Sequence, residues 1–528
     1  MSQPLDDLLG DVATLKSMII AERARNAQLQ HLLDVLRRMQ FGKRSEKIAP
    51  DQFALALEDS DIAQAEAEAL IAQSEEARAS LLPKSRRRRD ADTLRASLPA
   101  HLPRVEIEIM PEVSECPCCG GALHRIGEDR AERLDVIPAQ YRVLVTVRPK
   151  PGCRTCSDGV SQAPAPRHIV PGGLPSERLI ADVLVSKYAD HLPLYRQLQI
   201  MARQGVVVDR ATLANWVGAA AARLKPLVEL LKTELLASAR LFVDETTAKV
   251  LAPGSGKTKT GYMWAMVRDD RSHGGSDPPA IVYSYMPGRG GSWAAKLLDD
   301  YRGILQVDGY EAYRQFGKAS RPGGPATLAY CWAHVRRGFF DAAKGSGTDI
   351  ADEALRRIAM VYEIEQGIAG QSPDVRMAVR RERTRPLIED MHDWLEQKKR
   401  RMFGGSPTLA AINYALGHWN GLIRFLDNGR IDLDNNAVER SMRPIALQRK
   451  NALFAGHDLG AENWAAIASL IECCKLNGIN PNAYLADVLT RIANKRDGEP
   501  LDDLLPGNWV NPYRHGDMFE YTANAIAA

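Results

Sequence analysis

The sequence predicts a multidomain α+β protein, and three observations carry that expectation. A heptad of apolar residues occupies positions 8 to 40, two CxxC pairs follow after residue 115, and from residue 240 apolar strands are interleaved with helices. A length of 528 residues suits roughly three to four domains. Hydrophobic residues make up 45% of the chain, enough to fill their cores. The net charge is only +3, so any nucleic-acid binding has to come from local basic patches. No apolar run approaches the ~18 residues of a membrane span, and the N-terminus lacks a basic-then-apolar leader. A cytoplasmic protein without membrane contact is expected.

In the heptad, Val12, Ile19, Asn26 and Leu33 share one core position and Leu8, Leu15, Glu22, Leu29 and Leu36 the other. β-branched residues at the first and leucines at the second favour a parallel two-stranded coil, whose register a buried Asn26 would fix. A homodimer through residues 8–40 is therefore expected, within a zipper at 1–48. Residues 49–100 read as a helical and basic linker, an Ala/Glu-rich stretch followed by "KSRRRRD". That run suits either a solvated linker or a phosphate-binding segment.

Cys116 and Cys119 form the first CxxC pair, Cys153 and Cys156 the second. Four thiolates suit a structural, tetrahedral Zn²⁺ and leave no open position for catalysis. The alternating stretch "VIPAQYRVLVTVRPK" between the pairs predicts the strands of a zinc ribbon within a domain at 101–170. At 171–228, "PSERLIADVLVSKYADHLPLYRQLQIMARQGVVVDRATLANWVGAAAARLKPL" repeats apolar residues at helical spacing. Ser176 or Pro175 can open its first helix, Gly205 closes the second, and Asp209 can cap the third. A helix-turn-helix is expected, with Arg210, Thr212 and Asn215 as the types that contact bases or phosphates.

From 229 to 460 the order is three meander strands, helix, strand, helix, which matches an RNase H-like α/β fold. "FVDET" and "VDGYEAY" place Asp244 and Asp308 after apolar strands. In that fold the first and fourth strands are neighbours, so the two aspartates would meet. Adjacent carboxylates repel unless protonated or bridged, and Mg²⁺, hard and oxygen-loving, is the natural bridge. Charged helical sequence at about 341–430 predicts a helical insertion. Residues 461–528 form a C-terminal helical segment that turns loop-like after "KLNG", with Cys473 and Cys474 as packing residues. In "IDLDNNAVERSMRPI", Asn436 and Glu439 have capping-box spacing, and Arg443 lies one helical turn beyond Glu439.

Taken in order, "FGKRSEK", the CxxC pairs, "VSKYADHLPLYRQ", "FVDET", "VDGYEAY", "YCWAHVRR", "DNNAVERSMRPIALQRKNALFAG" and "KLNGINPNAYLADVL" resemble the transposases of the insertion-sequence-66 family, a bacterial DDE group. The resemblance spans nearly the whole chain. It implies Asp244, Asp308 and Glu439 as a catalytic triad holding Mg²⁺ or Mn²⁺, for cleavage at element ends and strand transfer. "CWAH" is similar to a Cys-x-x-His signature of several DDE groups, giving Cys331 and His334 a role beside the site. Arg440, Arg443, Arg449 and Lys450 would bind DNA phosphates. Implied partners are double-stranded DNA, as terminal inverted repeats and target, and small accessory proteins of the same element. DNA binding would place the protein on the nucleoid. The alternatives are a DNA-binding regulator or an RNase H-like nuclease derived from a transposase.

Overall fold

The computed structural model describes residues 104–106, 118, 139–151, 161–252, 257–298, 300–346, 349–402, 404–496 and 498–512. The expected zipper, the linker and all four CxxC cysteines lie outside the described residues. Residues 139–151 are described and contain no strand. Val143, Val145 and Val147 are exposed. Their alternation has no partner strand among the described residues, so the expected ladder is not made there.

Three helices open the well-described part: α1 (Glu177–Tyr188), α2 (Leu194–Ala202) and α3 (Arg210–Leu236). Ser176 caps α1, its hydroxyl accepting from the Leu179 amide. Gly205, at φ +78°, turns the chain after α2. Asp209 caps α3 through the Thr212 amide. The third helix runs 27 residues, through Pro226. Proline removes a backbone donor, but Leu213, Val217, Ala220, Leu224, Leu227 and Leu231 keep one unbroken buried stripe along the helix. The boundary expected at 228 falls inside this helix.

The sheet follows: β1 (Arg240–Ala252), β2 (Lys257–Arg268), β3 (Ala280–Met286), helix α4 (Gly291–Leu298), β4 (Ile304–Val307), a 3₁₀ stretch at Glu311–Gly317 and β5 (Thr327–Tyr330). Its spatial order is β3-β2-β1-β4-β5. The first three strands are antiparallel neighbours, while β4 pairs parallel with β1 and β5 parallel with β4. The meander and the β1–β4 neighbourhood are as the sequence predicts.

Then come α5 (Trp332–Ser346), α6 (Asp349–Gly367), α7 (Pro373–Val379), a π turn (Arg380–Thr384), α8 (Arg385–Arg400) and α9 (Pro407–Gly417). The last helices are α10 (Asn436–Ser441), α11 (Arg443–Ala452), α12 (Asp458–Leu476) and α13 (Pro481–Asn494). The stretch after "KLNG", expected to be loop-like, is helical because Asn480 caps α13 through two backbone amides.

Two cores result. One joins α1–α3, the sheet, α12 and α13. The other joins α5 to the helices that follow it, around Trp332, Phe339, Ile358, Met391 and Phe425. Edge strand β3 is covered rather than bare. The Ile281 amide donates to Cys473 Sγ at 3.1 Å and the Tyr283 amide to Ser469 Oγ at 2.8 Å, both on α12. These bonds satisfy groups that an open edge would present to another chain.

A buried ionic network ties the two cores together. Arg240 opens β1 with a fully buried guanidinium. It reaches Asp432 Oδ2 at 2.9 Å, the Arg430 carbonyl at 2.6 Å and the Asp269 carbonyl at 2.6 Å. Asp432 also accepts from Arg376 at 2.8 Å and Ser272 at 2.9 Å. Glu365 holds Arg380 through two bonds, of 2.7 and 2.6 Å. Burial would raise the Asp432 carboxyl, but Arg240 and Arg376 outweigh it and hold it below the usual carboxylate range. Arg240 also pairs with Asp270 at 3.2 Å, so Arg240→Met takes a cation from both Asp432 and Asp270 and should cost about 3–5 kcal/mol of stability. Urea unfolding measures this, and a loss below about 1 kcal/mol would refute it.

Candidate active site

Sequence and sheet geometry together bring distant carboxylates to one place. In the β1–β4 ladder Arg240 pairs with Ile304, Leu241 with Leu305 and Phe242 with Gln306, an offset of 64 (304 minus 240). Extending that offset carries Asp244 opposite Asp308. Adjacent strands are about 4.8 Å apart. Asp244 is not at a strand end, as the sequence reading expects, because β1 runs on to Ala252. It is β4 that stops, at Val307. Asp244 therefore sits where β1 loses its parallel neighbour.

The Asp308 loop is held from the helical insertion. Tyr414 of α9 donates to the Asp308 carbonyl at 2.6 Å, and His418 Nε2 lies 3.3 Å from the Gly309 carbonyl. Gly309 has φ +90°. A Cβ there would come within 2.9 Å of His418, so both conformation and space require glycine. Asp308 Oδ1 accepts from the Tyr310 amide at 2.8 Å, fixing the side chain.

Glu439 lies on α10, and the expected capping box is not what holds this helix. Asn435 is the cap residue and its side chain makes no capping bond. Asp434 does that work, accepting from the Asn436 amide at 3.0 Å and its Nδ2 at 2.6 Å. Asn435 is drawn inward instead. Its amide donates to Cys331 Sγ at 3.2 Å and its Nδ2 to the Val243 carbonyl of β1 at 3.4 Å. Glu439 is thus released from capping and turned toward the sheet. The helix breaks at Met442 and Pro444 sits in the first turn of α11, so Arg443 belongs to the next helix rather than to the face of Glu439.

The electrostatics agree with a cluster of carboxylates. Burial, then the charges of Glu245, Asp308 and Glu439, push the Asp244 carboxyl up to about 7. On its other side Glu439 Oε1 is 3.6 Å from His334 Nδ1. Both atoms are buried and have no hydrogen-bond partner. Ligand atoms of Cys331, His334 and Glu439 all lie within 4.8 Å of one another. Burial pushes the Cys331 thiol up to about 12, so it acts here as the acceptor for Asn435 rather than as a thiolate. Among the described residues, the orphaned atoms of His334 and Glu439 fall in the Cys331–His334–Glu439 group, while Asp244 feels the charges of Asp308 and Glu439 beside it.

The remaining expected contact residues are dispersed. Arg210 and Asn215 are exposed at the start of α3. Thr212 is engaged in the cap, its hydroxyl donating to Asp209 at 3.1 Å. Arg440, Arg443 and Lys450 are exposed and Arg449 is half-buried. Arg449 donates to the Thr247 carbonyl and hydroxyl of β1 at 2.6 and 2.7 Å. Sequence reasoning did not single out Glu245, Arg289, Tyr313, Tyr414 or His418. Only the acid following Asp244 in "FVDET" and the lone arginine in "MPGRGG" carried a signal.

Several family models match this chain. One described as the transposase IS66 family matches residues 172–463. The zinc-finger binding domain of transposase IS66 matches 114–157. Transposase C of IS166 homeodomain matches 28–107, and the IS66 C-terminal element 469–506. Among similar proteins, y4jD of Sinorhizobium fredii is 41% identical over 515 residues, covering 96% of this chain and 98% of that protein. Protein y4qI of the same organism is 38% identical over 544 residues, covering 96% and 99%. Both carry the description uncharacterized.

A raised Asp244 pKa makes a prediction independent of activity. The folded state binds this proton more tightly than the unfolded chain, so the group's ionisation lowers stability as pH rises from about 4 to about 7. At pH 8 in EDTA, Asp244→Asn should raise the melting temperature by a few degrees. Mg²⁺ should raise that of the wild type and leave the variant unmoved. An equal Mg²⁺ response in both proteins would remove Asp244 from the cation site.

Proposed function

The chain belongs to the IS66 transposase family, and from that premise we propose that it cuts DNA at the ends of its insertion sequence and joins the freed 3′ ends to target DNA. The observation that supports this reading is the β1–β4 register, which points Asp244 toward Asp308 where β4 ends, with the charges of Asp308 and Glu439 acting on Asp244. The family implies a nucleic-acid-processing enzyme with DNA as partner. No described helix is long and apolar enough to cross a membrane.

On this reading the sheet is an RNase H-like core and the three carboxylates hold Mg²⁺ or Mn²⁺. When bound, such ions activate the attacking oxygen and stabilise the leaving one. The chain's own residues supply position. Tyr414 and Gly309 fix Asp308, Asn435 ties α10 to β1, and His334 orients Glu439 from the far side. Arg440, Arg443, Arg449 and Lys450 grip phosphates near Glu439. Arg210 and Asn215, on a helix-turn-helix made by α1–α3, read the element end, with Thr212 holding that helix's start. The zinc-finger match supports a structural Zn²⁺ on Cys116, Cys119, Cys153 and Cys156. A dimer through residues 8–40 would pair two ends, with accessory proteins of the element assisting.

Incubating the purified chain and Mg²⁺ with labelled element-end DNA tests this. Asp244→Asn, Asp308→Asn and Glu439→Gln should each lose on the order of a thousandfold in cleavage while end binding persists. Binding without any Mg²⁺-dependent cutting by the wild type would favour a regulator. Cutting without preference for element ends would favour a nuclease.

A further inference from the structure

Beside the carboxylates, on the β3–α4 loop, stands an arginine that no role above uses. Arg289 Nε donates to Glu245 Oε1 at 2.6 Å. The guanidinium lies over the Tyr310 ring, 3.9 Å from its centroid. Glu245 is the residue after Asp244, and Tyr310 is the residue whose amide fixes Asp308. Arg289 is thus anchored to the immediate neighbours of both aspartates. Its anchor is itself rigid, because Glu245 is buried and its second oxygen accepts from Tyr313 at 2.5 Å. Tyr313 packs edge-on against Trp264 and Tyr310.

One-sided use is the informative feature. The side chain is 41% exposed. Only Nε is engaged, and among the described residues neither terminal nitrogen donates to a protein acceptor. A guanidinium presents several N–H donors in a fixed fork that matches a phosphate. Here the ring below and the carboxylate behind hold that fork still, with its open edge outward. Successive residues of a strand face opposite ways, so Glu245, and with it Arg289, lies on the other face of β1 from Asp244. Asp308 is near enough for its charge to act on both Asp244 and Glu245.

Resting on the transposase reading, we propose that Arg289 binds a backbone phosphate of the strand being cut, next to the scissile one, and positions that strand from the face opposite Asp244. Arg289 is then a positioning residue for the DNA, and Glu245 serves to hold it. No proton or bond changes at Arg289. Neutralising Glu245 would be its sole role on a purely structural view, and the two roles separate experimentally.

The test uses the full chain with Mg²⁺ and labelled element-end duplexes, in which single phosphates at and beside the cut are replaced by neutral methylphosphonates. Arg289→Gln should slow cleavage about tenfold to a hundredfold, with metal-free end binding unchanged. One flanking methylphosphonate should slow the wild type by a similar factor and the variant no further, as expected when two changes remove the same contact. The double variant Glu245→Gln with Arg289→Gln, which leaves no buried charge unpaired, should stay slow. Recovery of wild-type rate in the double variant would show that Arg289 serves only Glu245 and overturn the proposal. So would methylphosphonate effects that multiply with Arg289→Gln at every position, or an Arg289→Gln rate equal to wild type. A wild type that does not cut at all would instead overturn the transposase reading, and this proposal with it.

Discussion

Everything around the carboxylates depends on one buried ion pair, Arg240 with Asp432. Arg240 begins β1, the strand that carries Asp244, and Asp432 begins the segment that carries Glu439. Their contact at 2.9 Å joins residues 192 apart (432 minus 240). Gln306 of β4 extends the grip, donating to the Asp432 carbonyl at 3.0 Å and accepting from the Asp432 amide at 2.8 Å. All three carboxylate-bearing segments thus meet at one polar knot. A buried pair of this kind contributes little net stability compared with an apolar core. What it provides is a single arrangement, since any slip would leave charges buried without partners.

Polar groups therefore divide the work by depth. Below, Arg240, Arg376 and Arg380 pair their charges with Asp432 and Glu365 and fix the frame, although Arg240 Nε and Arg376 Nε and Nη1 stay without hydrogen-bond partners. Above, Asp244, Asp308 and Glu439 repel, and Glu439 Oε1 and His334 Nδ1 are left without partners. The opposite charges are paired underneath, whereas like charges gather around Asp244.

Much of the fold was legible because it rests on local signals. Ser176 and Asp209 announced their helices, and the meander announced the sheet. The β1–β4 neighbourhood was legible because strand order implies it, and its offset points Asp244 toward Asp308. The misreadings came from tertiary competition. Asn436 and Glu439 have capping-box spacing, yet Asn435 is drawn to Val243 and Cys331 and Asp434 takes over the cap. Valines at 143, 145 and 147 alternate as a strand does, but a strand also needs a neighbour. Tyr414, His418 and Arg289 act on segments about twenty to over a hundred residues away, and no periodicity within a window reports that.

The long helix α3 has a consequence for how such a molecule can evolve. Its 27 residues span about 40 Å, and its buried stripe joins the opening helices to the sheet and the C-terminal helices in one core. His191, in the turn before α2, adds a second tie through Gln448 of α11 at 3.0 Å. The buried residues of α3 and of β1, the strand that carries Asp244, belong to that same core. On the proposed reading this makes the molecule a ruler, in which the number of base pairs between the recognised sequence and the cut is set by a rigid length. Changing that spacing would require whole turns of helix to be gained or lost, so an element's ends and its enzyme would have to change together.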